Sequence, residues 1–335
     1  MHPRAARLSA QGSAPYTAIM STSERRARLG LGRPRRASVY VRERAALEGG
    51  EQSRLKLELA ARGLSPRKRF GQNFLVRPEL AERIADHCHL DADEVAVEIG
   101  PGAGALTQHL LGRVRRLVAV EKDDGLAELM REEFDAAPNL EVRHGDFLEV
   151  DLGAIARAHG AERVTVVGNI PYNITTPILE RIFEQRAWVR RAVLLVQKEY
   201  AERLAAAAGS PAYGSLTLFA RYYSVMEPLM TVRAAAFWPR PEVDSMLVRF
   251  LIRERPPVEV PDEAVLFRII RGSFQMRRKQ LLNTIEAALA LPKVKIERMC
   301  RHARVDPRRR GETLTLEEFA RLARAADDYL PPTAR

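Results

Sequence analysis

The four residues Asn169-Ile170-Pro171-Tyr172 bring together groups suited to holding an aromatic amine. Such an amine is a poor nucleophile, because its lone pair is delocalised into the ring. The side-chain oxygen of Asn169 and the main-chain carbonyl of Pro171 could accept its two N–H groups. That pairing would favour a pyramidal nitrogen and aim its lone pair at an electrophilic methyl group, while Tyr172 offers a face for stacking. Proline fixes φ and stiffens the turn that presents these groups. The chemistry would then be methyl transfer by positioning and electrostatics, with no general base required. A structural Asn-Pro turn followed by a core tyrosine is the plain alternative.

A second candidate is Gly100-Pro101-Gly102-Ala103-Gly104-Ala105, which follows the apolar run Val95–Ile99. Glycines let the backbone turn sharply and approach a ligand closely, and the helix that follows presents its N-terminus to that ligand. With Glu98 the stretch reads as acid-x-Gly-x-Gly-x-Gly, a methyltransferase pattern. It also reads as Gly-x-Gly-x-x-Ala, a dinucleotide pattern, and a tight strand-to-helix turn would look similar. Glu121, about 20 residues on, ends the next apolar run, where an acid grips ribose hydroxyls of NAD or of S-adenosylmethionine. Asp146 could accept a hydrogen bond from an adenine amine, or cap the helix near Leu152.

These residues need a sheet to hold them. Val95–Ile99, Leu117–Val120, Val164–Val167 and Ala192–Val196 read as buried strands, and Leu140–Val142 as a weaker one. Helical periodicity fills the gaps, as at Leu80, Ile84 and His87. The alternation predicts an α/β fold, a mainly parallel sheet with helices on both faces. Met246–Ile252 reads as a late strand, and Pro256-Pro257 marks a domain boundary. The pattern beyond it is helical, and Thr315 and Glu318 have capping-box spacing.

Charge is unevenly spread along the 335 residues. Residues 1–64 carry 13 Lys+Arg against 5 Asp+Glu, residues 65–250 carry 23 against 26, and residues 251–335 carry 18 against 12. The first segment is Arg-, Ala- and Ser-rich with few apolar clusters, which predicts disorder over 1–64. It reads as a basic RNA-gripping arm, as an organelle transit peptide, or as residues ahead of a start at Met20. Deleting residues 1–60 is expected to leave activity nearly intact. Domains are expected at 1–64, 65–255 and 256–335. No apolar run of 18 residues argues for a membrane span. Two distant cysteines, Cys88 and Cys300, offer neither a disulfide framework nor metal-ligand spacing, so no metal is expected.

Further motifs appear in order: Arg69-Phe70-Gly71-Gln72-Asn73-Phe74-Leu75, Gln197-Lys198-Glu199, Ala212-Tyr213-Gly214, Phe237–Ser245 and Phe274–Lys279. Together with Glu98–Gly104 and Asn169–Tyr172, this set resembles the ribosomal RNA adenine N6-dimethyltransferase family over residues 65–330, in its bacterial small-subunit branch. The resemblance implies a Rossmann-like S-adenosylmethionine-dependent methyltransferase sheet with a small all-α C-terminal domain. It implies S-adenosylmethionine as cofactor, held by Asn73, Leu75, Gly100, Gly102, Glu121, Asp146 and Asn169. It implies that Asn169, Pro171, Tyr172 and Phe237 handle the target base, with Phe237 closing on the face opposite Tyr172. The motifs taken without the family would leave Phe237 as a core residue. Arg271, Arg277, Arg278 and Lys279 read as a solvated helix face or as phosphate contacts, and the basic C-terminal region favours the latter. Small-subunit rRNA in an immature 30S subunit is the implied partner. A cytoplasmic monomer is expected. The alternatives are a large-subunit adenine dimethyltransferase of the macrolide-resistance type, an NAD-dependent oxidoreductase and a non-catalytic assembly factor.

Overall fold

The computed structural model describes residues 50–276 and 278–330. Helix α1 (Glu51–Ala61) and the two-residue strand β1 (Phe74–Leu75) come first. The chain then alternates through α2 (Pro78–His87), β2 (Val95–Ile99), α3 (Thr107–Leu110), β3 (Arg116–Glu121) and α4 (Asp124–Glu133). It continues with β4 (Leu140–His144), α5 (Leu152–Ala158), β5 (Val164–Asn169), α6 (Thr175–Glu184) and β6 (Val189–Gln197). After α7 (Lys198–Ala205) and α8 (Ser215–Tyr223) come β7 (Ser224–Val232), β8 (Phe237–Trp238) and β9 (Ser245–Ile252). The helices α9 (Glu263–Gln275), α10 (Leu281–Leu289), α11 (Lys293–His302) and α12 (Leu316–Ala326) follow.

The continuous apolar runs form the centre of a seven-stranded sheet of order β4-β3-β2-β5-β6-β9-β7. Strands β2 to β6 pair in parallel, and β9 runs antiparallel to both β6 and β7. Unbroken apolar strands are what a parallel sheet covered on both faces requires. Alternate residues of β2 show the two faces. Val95, Val97 and Ile99 pack with Leu152 and Ile155 of α5 and Ile178 and Ile182 of α6. Ala96 packs on the other side, with Ala81 and Ile84 of α2 and Leu110 of α3. The strand order reverses between β2 and β5, and ligands of open α/β sheets bind beyond the strand ends at such a reversal. Glu98 and Asn169 stand there.

The chain divides after β9, but the core does not. Leu266, Ile270, Leu281 and Phe319 of the C-terminal helices belong to the same apolar cluster as the sheet residues Val164 and Phe250. The Tyr213 hydroxyl, in the Ala-Tyr-Gly motif, donates to the Leu314 carbonyl at 2.7 Å and ties the two parts together.

The expected disorder over 1–64 fails at its C-terminal end. Residues 51–61 are helical, and Leu59 is 1% exposed, packed with Phe74, Leu126 and Leu129. Leu55, Leu59 and Leu64 make a short apolar stripe that the average composition of the segment conceals. Residues 1–49 lie outside the described residues. Among the described residues no helix is long and apolar enough to cross a membrane.

Candidate active site

A cavity of about 720 Å³ opens at the strand-order reversal, within the size range of small-molecule sites. Its walls include all the residues expected at the cofactor: Asn73, Leu75, Gly100, Gly102, Glu121, Asp146 and Asn169, with Pro171 beside them.

The glycine loop forms the floor. Gly102 has φ +59°, and a Cβ there would meet the Phe74 ring at 3.0 Å. Its backbone is therefore free to face the cavity only because it has no side chain. Its N–H donates to Glu121 Oε2 at 3.0 Å, while Glu121 Oε1 accepts from Asp123 N–H at 2.9 Å. Glu121 is 5% exposed, and burial raises its pKa against those two backbone hydrogen bonds. It thus braces the loop as well as presenting a carboxyl to the cavity. Burial likewise raises the Asp146 carboxyl, but hydrogen bonds from Lys122 and Leu148 N–H outweigh it and hold the group below its usual range. Asp146 caps the 3-10 turn Phe147–Glu149, and it is Asp151 that caps the helix beginning at Leu152.

The segment 67–75 forms one wall, pinned by its own polar groups. Arg67 N–H donates to Gln72 Oε1 at 2.7 Å and Asn73 Nδ2 to the Gly71 carbonyl at 3.1 Å. Strand β1 pairs with β8, Phe74 opposite Trp238 and Leu75 opposite Phe237. From across the cavity, Asn169 Nδ2 donates to the Asn73 carbonyl at 2.8 Å. This contact orients the amide: one of its two N–H bonds is engaged, and Oδ1 is the end that can accept. The neighbouring Pro171 carbonyl receives Ile174 N–H at 3.3 Å and Thr175 Oγ1 at 3.4 Å. Both contacts are long, and a carbonyl has two lone pairs.

Tyr172 is half-buried, and its hydroxyl lies 2.6 Å from Ser245 Oγ. Burial raises the phenol pKa, opposed by that hydrogen bond, so the ring remains neutral at physiological pH. Neither Tyr172 nor Phe237 lines the cavity. Phe237 departs from the expected stacking position: it is 2% exposed and packs with Leu75, Val232, Ala236 and Leu247. An apolar ring gains more from that cluster than from water.

The basic candidates lie elsewhere. Arg271, at the end of α9, and Arg278 and Lys279, in the turn after it, are exposed, and Arg277 lies outside the described residues. Arg308 pairs with Asp306 and Arg309 with Glu318, so these two are locally neutralised. Cys88 and Cys300 are buried, and burial pushes both thiols up to about 12.

The expected site residues left out three contributors. Phe70, inside the quoted Arg69–Leu75 motif, and Asn173, directly after Asn169–Tyr172, line the cavity, and their place in or next to the motifs was the available signal. Helix α1 also lines it, and its signal was the Leu55–Leu59 spacing.

Residues 63–328 match the family model described as ribosomal RNA adenine dimethylase. A "Ribosomal RNA small subunit methyltransferase A" from Geobacillus thermodenitrificans is 43% identical over 81% of this chain and 94% of its own. A protein of the same name from Bacillus mycoides is 42% identical over 78% and 92%. Among solved structures, the 23S rRNA methyltransferase ErmE superposes with a TM-score of 0.58 at 28% identity, over 76% of this chain and all of that one. A dimethyladenosine transferase from Plasmodium falciparum shares the fold, with a TM-score of 0.62 at 22% identity over 75% of this chain and 96% of that one. The family model spans nearly all the described residues and the first two relatives above are 43% and 42% identical over most of the chain, so one conclusion follows: the chain belongs to the ribosomal RNA adenine dimethylase family.

Proposed function

We propose that this protein transfers methyl groups from S-adenosylmethionine to N6 of two adjacent adenines in the 3′-terminal hairpin loop of small-subunit rRNA. The product is N6,N6-dimethyladenosine, the substrate is an immature 30S subunit, and the enzyme acts as a cytoplasmic monomer in small-subunit biogenesis. The observation that carries this reading is the Asn169 amide, oriented by the Asn73 carbonyl so that an acceptor stands at the cavity wall beside Pro171.

The donor set suits S-adenosylmethionine. Glu121 could take ribose hydroxyls and Asp146 an adenine amine, while Asn73 and Leu75 would hold the amino-acid end. When bound, the cofactor supplies an electrophilic methyl group. The chain supplies alignment. Asn169 Oδ1 and the Pro171 carbonyl accept the two N6–H bonds, localising the lone pair on nitrogen and pointing it into the cavity. Tyr172 supports one face of the base, and Phe237 is assigned to the other. Stacking offsets part of the cost of taking the base out of its stack in the loop. No side chain is asked to act as a strong base. Methylation leaves N6 cationic and strongly acidic as the sulfonium departs as a neutral thioether, so one N6 proton passes to solvent without a strong base.

Labelled S-adenosylmethionine, offered to unmethylated small and large subunits with the products digested to nucleosides, tests the proposal. Dimethyladenosine from the small subunit alone is expected. Label only in the large subunit would reassign the enzyme to the second reading, which the 28% identity to ErmE favours. The higher identity to proteins named for the small subunit weighs the other way.

Two further outcomes are expected. Ser245 is 0% exposed, and Ser245→Ala removes the hydroxyl that holds Tyr172. The Michaelis constant for the subunit should rise about fivefold, the equivalent of roughly 1 kcal/mol for one hydrogen bond, with cofactor affinity unchanged. An unchanged constant in steady-state assays would show that Ser245 does not position the ring. Replacing Arg271, Arg278 and Lys279 together by alanine should weaken subunit binding. It should also flatten the plot of log affinity against log salt by about 2–3 units. A filter-binding titration across salt concentrations checks both; an unaltered slope rejects these phosphate contacts.

A further inference from the structure

We infer that helix α1 is the removable outer wall of the cofactor chamber, and that its undocking controls how fast cofactor leaves. The inference rests on the proposal that the cavity holds S-adenosylmethionine.

Four α1 residues line the cavity: Glu51, Arg54, Leu55 and Glu58. Their spacing puts them on one face of the helix. A helix docked only for stability turns its apolar stripe inward, whereas this one turns a largely charged face to the chamber. Glu51 and Arg54 pair there at 3.2 Å. Such a face suits contact with a polar ligand and the water around it.

The helix is held lightly. Its one fully buried side chain is Leu59, packed with Phe74, Leu126 and Leu129, with Leu55 and Leu64 partly buried against them. Lys56 Nζ stands 5.3 Å from the centre of the Trp238 ring. Arg62 reaches Glu133 at 3.3 Å and Glu132 at 3.6 Å on α4. These ion pairs are partly exposed and therefore weak. The N-cap, Gly50, supplies no side-chain hydrogen bond.

The contacts are few, but they fall on the cofactor machinery. Phe74 borders Gly102 in the glycine loop, and both Phe74 and Trp238 belong to the β1–β8 pair. Leu126 sits in the first turn of α4, just after Glu121. Docked α1 thus covers the loop and braces the ring against it; undocked, it opens that side of the chamber. Helix α1 also precedes residue 63, where the family match begins. Deleting residues 1–60 would remove part of the chamber, so this inference predicts weaker cofactor binding for that truncation, against the near-intact activity expected from sequence.

The test uses the full chain and S-adenosylhomocysteine as the probe, with affinity from calorimetry and dissociation rate from stopped flow. Leu59→Ser should raise the dissociation constant at least tenfold, mainly through faster dissociation, with small-subunit binding unchanged. Leu59→Met should behave as wild type. Leu322→Ala, in the C-terminal core away from the cavity, controls for general destabilisation and should leave probe dissociation unaltered. Hydrogen exchange of residues 51–61 should slow when the probe binds. Unchanged probe kinetics in Leu59→Ser, or equal effects of Leu59→Ser and Leu322→Ala, would overturn the inference. Glu121→Ala separates the two layers. If it abolishes probe binding while Leu59→Ser leaves probe affinity and dissociation unchanged, only the role of α1 falls. If it binds the probe normally, the assignment of the cavity falls with it.

Discussion

Asn169→Ala lowers the rate of methyl transfer by a factor of about 10²–10³, the range seen when one transition-state hydrogen-bonding group is removed from a preorganised site. The side chain is only half-buried at the end of β5, and β5 is held by its pairing with β2 and β6. The fold therefore survives, and the stability lost with the 2.8 Å bond to Asn73 is about 1 kcal/mol. The rate suffers more, because two functions go together. The acceptor for one N6–H disappears, and with it the restraint that kept the acceptor pointing into the cavity. Asn169→Asp is the informative companion. It keeps an acceptor oxygen, but its carboxylate faces the Asn73 carbonyl and has no proton to donate, so it too should be slow. Single-turnover rates at saturating S-adenosylmethionine check both variants; wild-type-like turnover in Asn169→Ala would remove it from the catalytic set.

Glu98→Gln is expected to stabilise the protein at alkaline pH, on the order of 3–5 kcal/mol at pH 8 and above. Glu98 is 2% exposed. Burial pushes its carboxyl up from 4.5 to about 8, opposed by the hydrogen bond from Thr107 Oγ1 at 2.7 Å and reinforced by the nearby Glu121 charge. The folded chain thus holds this proton more tightly than the unfolded one. Its contribution to stability is fully present below pH 4.5 and declines by about 1.4 kcal/mol per unit as pH rises toward 8. Glutamine is neutral throughout, keeps an oxygen for Thr107, and removes this dependence. Denaturant titrations from pH 5 to 9 should show the two proteins converging at low pH and separating above neutrality. Methyl transfer near pH 7 should be nearly unchanged, because Glu98 is already protonated there. Parallel curves for both proteins would show that Glu98 is ionised in the fold.

Local sequence determined much of this protein. The runs Val95–Ile99 and Val164–Val167 could only be covered strands, and the glycines and Asn169–Tyr172 follow them directly. Strand, turn and reactive group are therefore contiguous, and their chemistry could be read along the chain. Other features had no local signature. Strand β7 escaped notice because Pro228 interrupts its alternation, and its register with β9 shifts between Pro228 and Met230. Helix α1 was submerged in a basic, low-complexity segment, since the partners of Leu59 come from residues 74, 126 and 129. Phe237 sits in the core of the described fold because β8 happens to pair with β1. The orientation of Asn169 depends on a carbonyl 96 residues away, and that of Tyr172 on a hydroxyl 73 residues away. Residue types and their order supply the reacting groups, but a hydrogen bond between distant segments exists only once the sheet has brought them together. The sequence by itself determined which groups face the substrate's chemistry, and the tertiary structure decided which way each of them points.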